Sequence, residues 1–116
     1  MRIFIGAIAL ALLAGCATPA MNEARTQPPY KMLSSNKPAQ NVAQCIEFAW
    51  QDESVFGVDA SAYKRTGSNG VVTLYTREGE SFVDLRSQAT GTQLSYYARH
   101  DNPPAKRRLA AVATCL

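Results

Sequence analysis

The chain is poor in the residues that do chemistry: it has one histidine, His100, three cysteines and no glycine-rich phosphate loop. Its 116 residues leave room for one small domain and none for a multidomain enzyme. A hydrolase built on His100 and Asp101 would need Ser81, Ser87 or Ser95 brought close, yet no nucleophile-elbow motif surrounds any of them. The paired carboxylates Asp52-Glu53 and Glu78 with Glu80 fall at expected loops, where such groups are ordinarily just hydrated. No charge of one sign dominates either: 12 Lys and Arg against 9 Asp and Glu, interspersed, exclude the basic stripe of a nucleic-acid binder. Internal repeats and metal-ligand clusters are absent from the sequence, and no cofactor is implied. A long hydrophobic run is missing too, since Ile3 to Leu13 gives eleven residues where a bilayer span needs about 20.

What that short run does fit is a secretory signal. Arg2 supplies the positive start, Ile3 to Leu13 the apolar stretch, and Ala14 and Gly15 the small residues before a cleavage point. The junction Leu13-Ala14-Gly15-Cys16 resembles the lipobox of bacterial lipoproteins. The resemblance implies lipid transfer to the Cys16 sulfur, cleavage before Cys16, and acylation (palmitate-type chains) of the new amine. Two or three acyl chains, each buried methylene adding about 0.8 kcal/mol, would anchor the protein firmly. Ala17, rather than an inner-membrane retention aspartate, follows the anchor, so the resemblance points to the outer membrane with the domain in the periplasm.

Residues 1–15 are then a signal peptide, 16–37 a lipidated cysteine and tether, and 38–116 the domain. The tether assignment rests on ATPAMNEARTQPPYKMLSSNK, which has three prolines and shows neither a helical nor an alternating period. In the domain, Asn36 is expected to cap a helix opening near Pro38, with Val42, Cys45, Ile46, Ala49 and Trp50 on one face. After Gly57 the period turns toward two, punctuated by Ser68-Asn69-Gly70, Glu78-Gly79 and Thr90-Gly91. A Glu78-Gly79 loop sets Leu74 opposite Val83 and Val72 opposite Leu85. A Thr90-Gly91 loop sets Leu85 opposite Tyr96 and Val83 opposite Ala98. The first strand has two readings: an Asn69-Gly70 loop buries Tyr63 and Arg65, whereas the alternation of Val58, Ala60 and Ala62 demands the opposite parity and a bulge or longer loop. Asp101 or Asn102 caps a last helix that Pro103 starts and that buries Ala105, Leu109, Val112, Ala113 and Leu116. The expected fold is α+β: a four-stranded antiparallel sheet with an N-terminal and a C-terminal helix packed on one face.

With Cys16 consumed by lipid, Cys45 and Cys115 remain, one on each helix. In an oxidising compartment they should pair, closing a loop of about 71 residues and contributing roughly 4 kcal/mol on the chain-entropy model. Two cysteines and one histidine fall short of a structural metal shell.

The sheet face turned away from the helices carries the candidate binding residues Tyr75, Arg77, Phe82, Arg86, Tyr97 and Arg99. The expected register aligns Tyr75 with Phe82, Phe82 with Arg99, Asp84 with Tyr97, and Arg86 with Ser95. Exposed tyrosine and arginine are the residues that binding hot spots favour, while the same residues also serve as plain cross-strand pairs. Lys106, Arg107 and Arg108, set against the helix dipole, form a candidate anion patch for lipid phosphate, or simply a solvated helix face. Trp50 is expected in the core or at its rim.

Cys45-Ile46 followed by Trp50, then Val83-Asp84, Tyr96-Tyr97 and Cys115-Leu116, resembles small proteobacterial outer-membrane lipoproteins that carry no established activity. The expected function is therefore non-enzymatic: a lipid-anchored envelope domain contacting an envelope protein or polymer. The alternative is an inhibitor or immunity-type lipoprotein that blocks an envelope enzyme or toxin.

Overall fold

The computed structural model describes residues 17–58 and 60–116, and the junction Leu13-Ala14-Gly15-Cys16 lies outside the described residues. In chain order the elements are α1 (Ala17–Ala24), β1 (Lys31–Ser35), α2 (Ala39–Gln51), a 3-10 turn (Asp52–Phe56), β2 (Ala62–Thr66), β3 (Val72–Thr76), a tight 3-10 turn (Arg77–Gly79), β4 (Ser81–Gln88), β5 (Gly91–Ala98) and α3 (Pro103–Ala113). The fold is α+β, with a fully antiparallel sheet in the order β1-β5-β4-β3-β2.

Five strands replace the expected four, because β1 comes from the segment read as a tether and pairs with β5, Leu33 opposite Leu94. The same segment supplies α1, whose Met21 is only 2% exposed. Ala20, Met21 and Ala24 do recur at helical spacing, but two of the three are alanines and bury too little surface to stand out as a stripe.

Alternation along the strands sends Leu74, Val83, Leu85, Leu94 and Tyr96 to one face, where they meet Val42, Ile46 and Trp50 of α2 and Val112 of α3. Each fully buried aliphatic of this set contributes about 1.5–3 kcal/mol relative to exposure. Two buried aromatics also tie down α3 through their polar ends. Trp50 Nε1 donates to the Arg108 carbonyl at 3.0 Å and the Tyr96 hydroxyl to the Ala105 carbonyl at 2.8 Å. Cys45 and Cys115 form a disulfide with Cα atoms 5.7 Å apart, joining α2 to the chain end beyond α3. The helices flanking this core are thus bonded as well as packed.

The β3–β4 register is as expected, Leu74 opposite Val83 and Val72 opposite Leu85. Both Glu78 (φ 59°) and Gly79 (φ 68°) are left-handed, as a two-residue hairpin turn of the primed kind requires. The β4–β5 register differs by two residues: Leu85 faces Leu94 and Val83 faces Tyr96, because the loop is Ala89-Thr90 and Gly91 is already in the strand. Gly91 is present for another reason. A Cβ there would stand 2.0 Å from the Ser35 carbonyl oxygen, so it lets β1 approach. A shift of two preserves parity, and the apolar face is unchanged. At the first hairpin the longer loop prevails, with Thr66 paired to Val72, Ala62 buried and Tyr63 turned outward.

Helix α2 runs thirteen residues, but Pro38 in extended conformation occupies its cap position and Asn36 makes no cap. In α3 the Asn102 side chain accepts from the Ala105 amide at 3.0 Å ahead of Pro103. Ala113 is exposed and Leu116 only partly buried where both were expected to be buried, and Cys115, expected only to pair, lies in the core.

Candidate functional site

The face opposite α2 and α3 is covered along its middle by α1, so it is not the open aromatic surface expected. What holds α1 there is Arg25. Its Nε donates to Asp84 Oδ2 and its Nη2 to Asp84 Oδ1, both at 2.7 Å, while Nη2 also reaches Thr73 Oγ1 at 3.1 Å. The Thr73 hydroxyl donates to Asp84 Oδ1 at 2.6 Å, and Arg25 Nη1 donates to Asn22 Oδ1 at 2.9 Å. Asp84 is 1% exposed, so this carboxylate is taken out of water only because the fork and the hydroxyl replace its solvent. Hydrogen bonding to Asp84 raises the Arg25 pKa above its ordinary value, with desolvation opposing.

The Arg25 guanidinium also lies 4.9 Å from the centroid of Phe82, whose other neighbour is Tyr97, stacked at 4.6 Å with 15° between the ring planes. Phe82 is consequently buried rather than open on the surface. The register that places it there corrects the expected one: Phe82 faces Tyr97, Asp84 faces Ser95, and Arg86 faces Gln93, with Tyr75 opposite Phe82 as expected. Tyr75 is half-buried and paired with Tyr63 at 5.4 Å. Arg99 is exposed, though its Nη2 donates to the Glu78 carbonyl at 3.0 Å. Arg77 and Arg86 are exposed.

Among the described residues, clefts open on either side of α1. One, about 620 Å³, is floored by Phe82 and Tyr97 and rimmed by Pro28, Tyr30 and Arg99. The other, about 320 Å³, lies between α1 and the β2–β3 loop and is lined by Thr18, Arg25, Arg65, Ser68, Asn69 and Arg86 among others.

The candidate anion patch does not hold together as three free cations. Arg107 Nε donates to Glu53 Oε2 at 3.0 Å, and Arg108 Nη1 donates to Ser81 Oγ at 2.9 Å with Glu80 3.9 Å away. Among the described residues Lys106 alone of the three has no side-chain partner, because the 3-10 turn and the start of β4 bring carboxylates to the other two. For a serine hydrolase the geometry is equally unhelpful. Ser81 is buried against Arg108, Ser95 is buried on the opposite sheet face, Ser87 lies at the far end of β4, and none bonds His100. Among the described residues no group of three or more His, Cys, Asp or Glu is placed to hold a metal. None of the described helices is long and apolar enough to cross a membrane.

The most exposed large apolar residues lie elsewhere. Val55 and Phe56 are 79% and 77% exposed on the 3-10 turn, and close by in sequence Phe48 is 54% and Val58 40% exposed. Phe48 is turned out because it sits about half a turn from Ile46 and Trp50, the inner positions of α2. The turn ends at Gly57, whose left-handed backbone (φ 76°) lets the chain leave toward β2. The signal for this feature was present in the sequence: two adjacent large apolar residues just before a glycine, belonging to neither a helical nor an alternating pattern.

Comparison with protein-family models, with curated proteins and with solved structures gives no match for the chain.

Proposed function

We propose that this chain is a lipid-anchored lipoprotein of the cell envelope, held on the outer membrane by acyl chains at Cys16, and that its domain acts by binding an envelope protein rather than by catalysis. The anchor half of the reading rests on the Leu13-Ala14-Gly15-Cys16 junction, with α1 following Cys16 directly. The binding half is carried by the exposed apolar end formed by Phe48, Val55, Phe56 and Val58. Isolated surface apolars are common, but four large exposed ones within eleven residues are a concentration that a protein contact would cover. A polymer of sugars would ask for aromatic platforms with open faces, and the best such pair, Phe82 and Tyr97, is stacked on itself beneath α1.

Intact mass of the protein purified from membranes should show acyl chains on a chain beginning at Cys16. A photo-crosslinking residue at position 56 in the living cell should give one discrete adduct, absent when Val55→Asp is added and absent from position 64. An unmodified Cys16 overturns the anchor. An adduct pattern equal at both positions, or none, overturns the binding end. The identity of the captured protein distinguishes an envelope-assembly role from an inhibitor-type role.

A further inference from the structure

The strand register sorts the molecule into two ends. At one lie the Glu78-Gly79 turn, the 3-10 turn and the start of α3, with Asp52, Glu53, Glu78, Glu80 and Asp101 among their cations. At the other lie the β2–β3 loop, the β4–β5 loop and the passage from β1 to α2. The sequence of that second end, 34–41, 64–72 and 86–93, contains Lys37, Lys64, Arg65 and Arg86 and no carboxylate at all.

The smaller cleft opens at this end. It holds Arg25, Arg65 and Arg86 against the single carboxylate of Asp84, and the Arg25 fork saturates that carboxylate. Among the described residues no other carboxylate compensates Arg65 and Arg86, and both are exposed. Beside them stands the Ser68 hydroxyl, a hydrogen-bond donor on an exposed loop, while the Asn69 side-chain oxygen is already used in accepting from the Val71 amide at 3.1 Å. Arg65 Nη1 donates to Thr18 Oγ1, which pins this end to the first turn of α1. Thr18 is two residues beyond Cys16. Two residues reach at most about 7 Å when fully extended, less than one Debye length at physiological salt.

We propose that this cleft is a phospholipid-headgroup site, in which Arg65 and Arg86 take the phosphate of an anionic lipid from the leaflet that holds Cys16. The inference rests on the lipid-anchor reading above and deepens it. The domain is then not a body on a long flexible stalk. It lies with its basic end on the lipid surface, and Val55 and Phe56, at the opposite end of the sheet, point away from it. Anionic lipid supplies both the phosphate oxygens that an arginine fork matches and the negative surface potential that draws four cations without carboxylates.

The test uses the full lipid-bearing protein, purified from membranes and reconstituted into vesicles of phosphatidylcholine alone or with about one-third phosphatidylglycerol. Hydrogen exchange is read by mass spectrometry. On the anionic vesicles the amides of 66–71 should exchange roughly fivefold or more slowly, the gain expected from one cation at a charged surface, while 52–58 should not change. Arg86→Gln, which disturbs no hydrogen bond, should lose most of that protection, and Arg65→Gln with Arg86→Gln all of it. Equal exchange on both vesicles, or protection that survives the double substitution, overturns the proposal. Protection reproduced by inorganic phosphate alone also overturns it and makes the cleft a soluble-phosphate site. The intact mass of the same sample reports on the anchor separately. A protein with no lipid on Cys16 overturns both readings, whereas a lipid-bearing protein without selective protection overturns this one only.

Discussion

Arg25 and Asp84 are 59 residues apart in sequence and form a two-pronged ion pair with both contacts at 2.7 Å, one partner on α1 and the other in the middle of β4. The carboxylate is almost fully buried and the guanidinium side chain only 28% exposed, so the pair is the joint by which the N-terminal helix is fixed to the sheet.

Removing the cation alone should be worse than removing both charges. Arg25→Met strands a buried carboxylate and is expected to cost about 3–5 kcal/mol, whereas adding Asp84→Leu should recover part of that loss. Denaturant unfolding of the two variants beside the parent checks it, and equal midpoints for single and double variants would refute the claim.

The disulfide closes the longest covalent loop of the domain, Cys45 to Cys115, a separation of 70 residues. Cys45→Ser with Cys115→Ser is expected to lower stability by about 4 kcal/mol on the chain-entropy model. For a domain of this size that is a large share of the total. The reduced parent should melt with the double variant, and a parent unmoved by reductant would contradict the expectation.

Tyr96 gives the molecule an alkaline weakness. Burial, the main cause, raises its pKa above the ordinary tyrosine value, with the Ser81 hydroxyl and the Arg108 charge acting against it. A raised folded-state pKa means that the native state holds its proton longer than the unfolded chain. The stabilisation is complete below about pH 10 and is lost as pH climbs from there through the folded value. Tyr96→Phe should cost about 1 kcal/mol at neutral pH for the hydrogen bond to Ala105, yet decline less steeply above pH 10. Melting curves from pH 8 to 12 for both proteins decide it.

Gly91→Ala should loosen the β1 edge. The new Cβ would sit 2.0 Å from the Ser35 oxygen and 2.9 Å from Asn36 Cα, at a backbone angle (φ 140°) that side chains avoid. A loss of about 1–3 kcal/mol is expected, the range for forced overpacking. Exchange should quicken at the amides of Lys31–Ser35 before those of β3 and β4.

Helix α2, helix α3 and the β3–β4 register were legible in the sequence because each is announced locally, by a wide apolar stripe, by Asn102-Pro103 and by Glu78-Gly79. The disulfide was legible because reading Cys16 as the lipid site leaves only Cys45 and Cys115 to pair. The N-terminal helix and strand were not. Ala20, Met21 and Ala24 make a thin stripe, and the decisive contact, Arg25 to Asp84, exists only once β4 is in place. Asp84 between Val83 and Leu85 reads as a solvated outward residue by alternation alone. Only the tertiary structure shows that its side of the sheet is roofed, and the same roof removed Phe82 from the candidate binding face. The basic cleft was invisible for a related reason, since Arg65 and Arg86 lie on different strands with β3 between them.

The sheet order carries a consequence for how the chain is made. The strand that caps one edge, Lys31–Ser35, precedes all the others in sequence, yet its only neighbour, β5, is the last strand. The other edge strand carries Lys64 and Arg65, charges that discourage a stray strand from adding to it. Strand β5 has no such guard: its Leu94, Ser95 and Tyr96 are all buried in the finished fold. A newly made chain therefore passes through an interval in which its first strand waits unpaired and its last presents a bare hydrogen-bonding rim. Two copies caught in that interval are placed to trade first strands, and crowding favours the exchange.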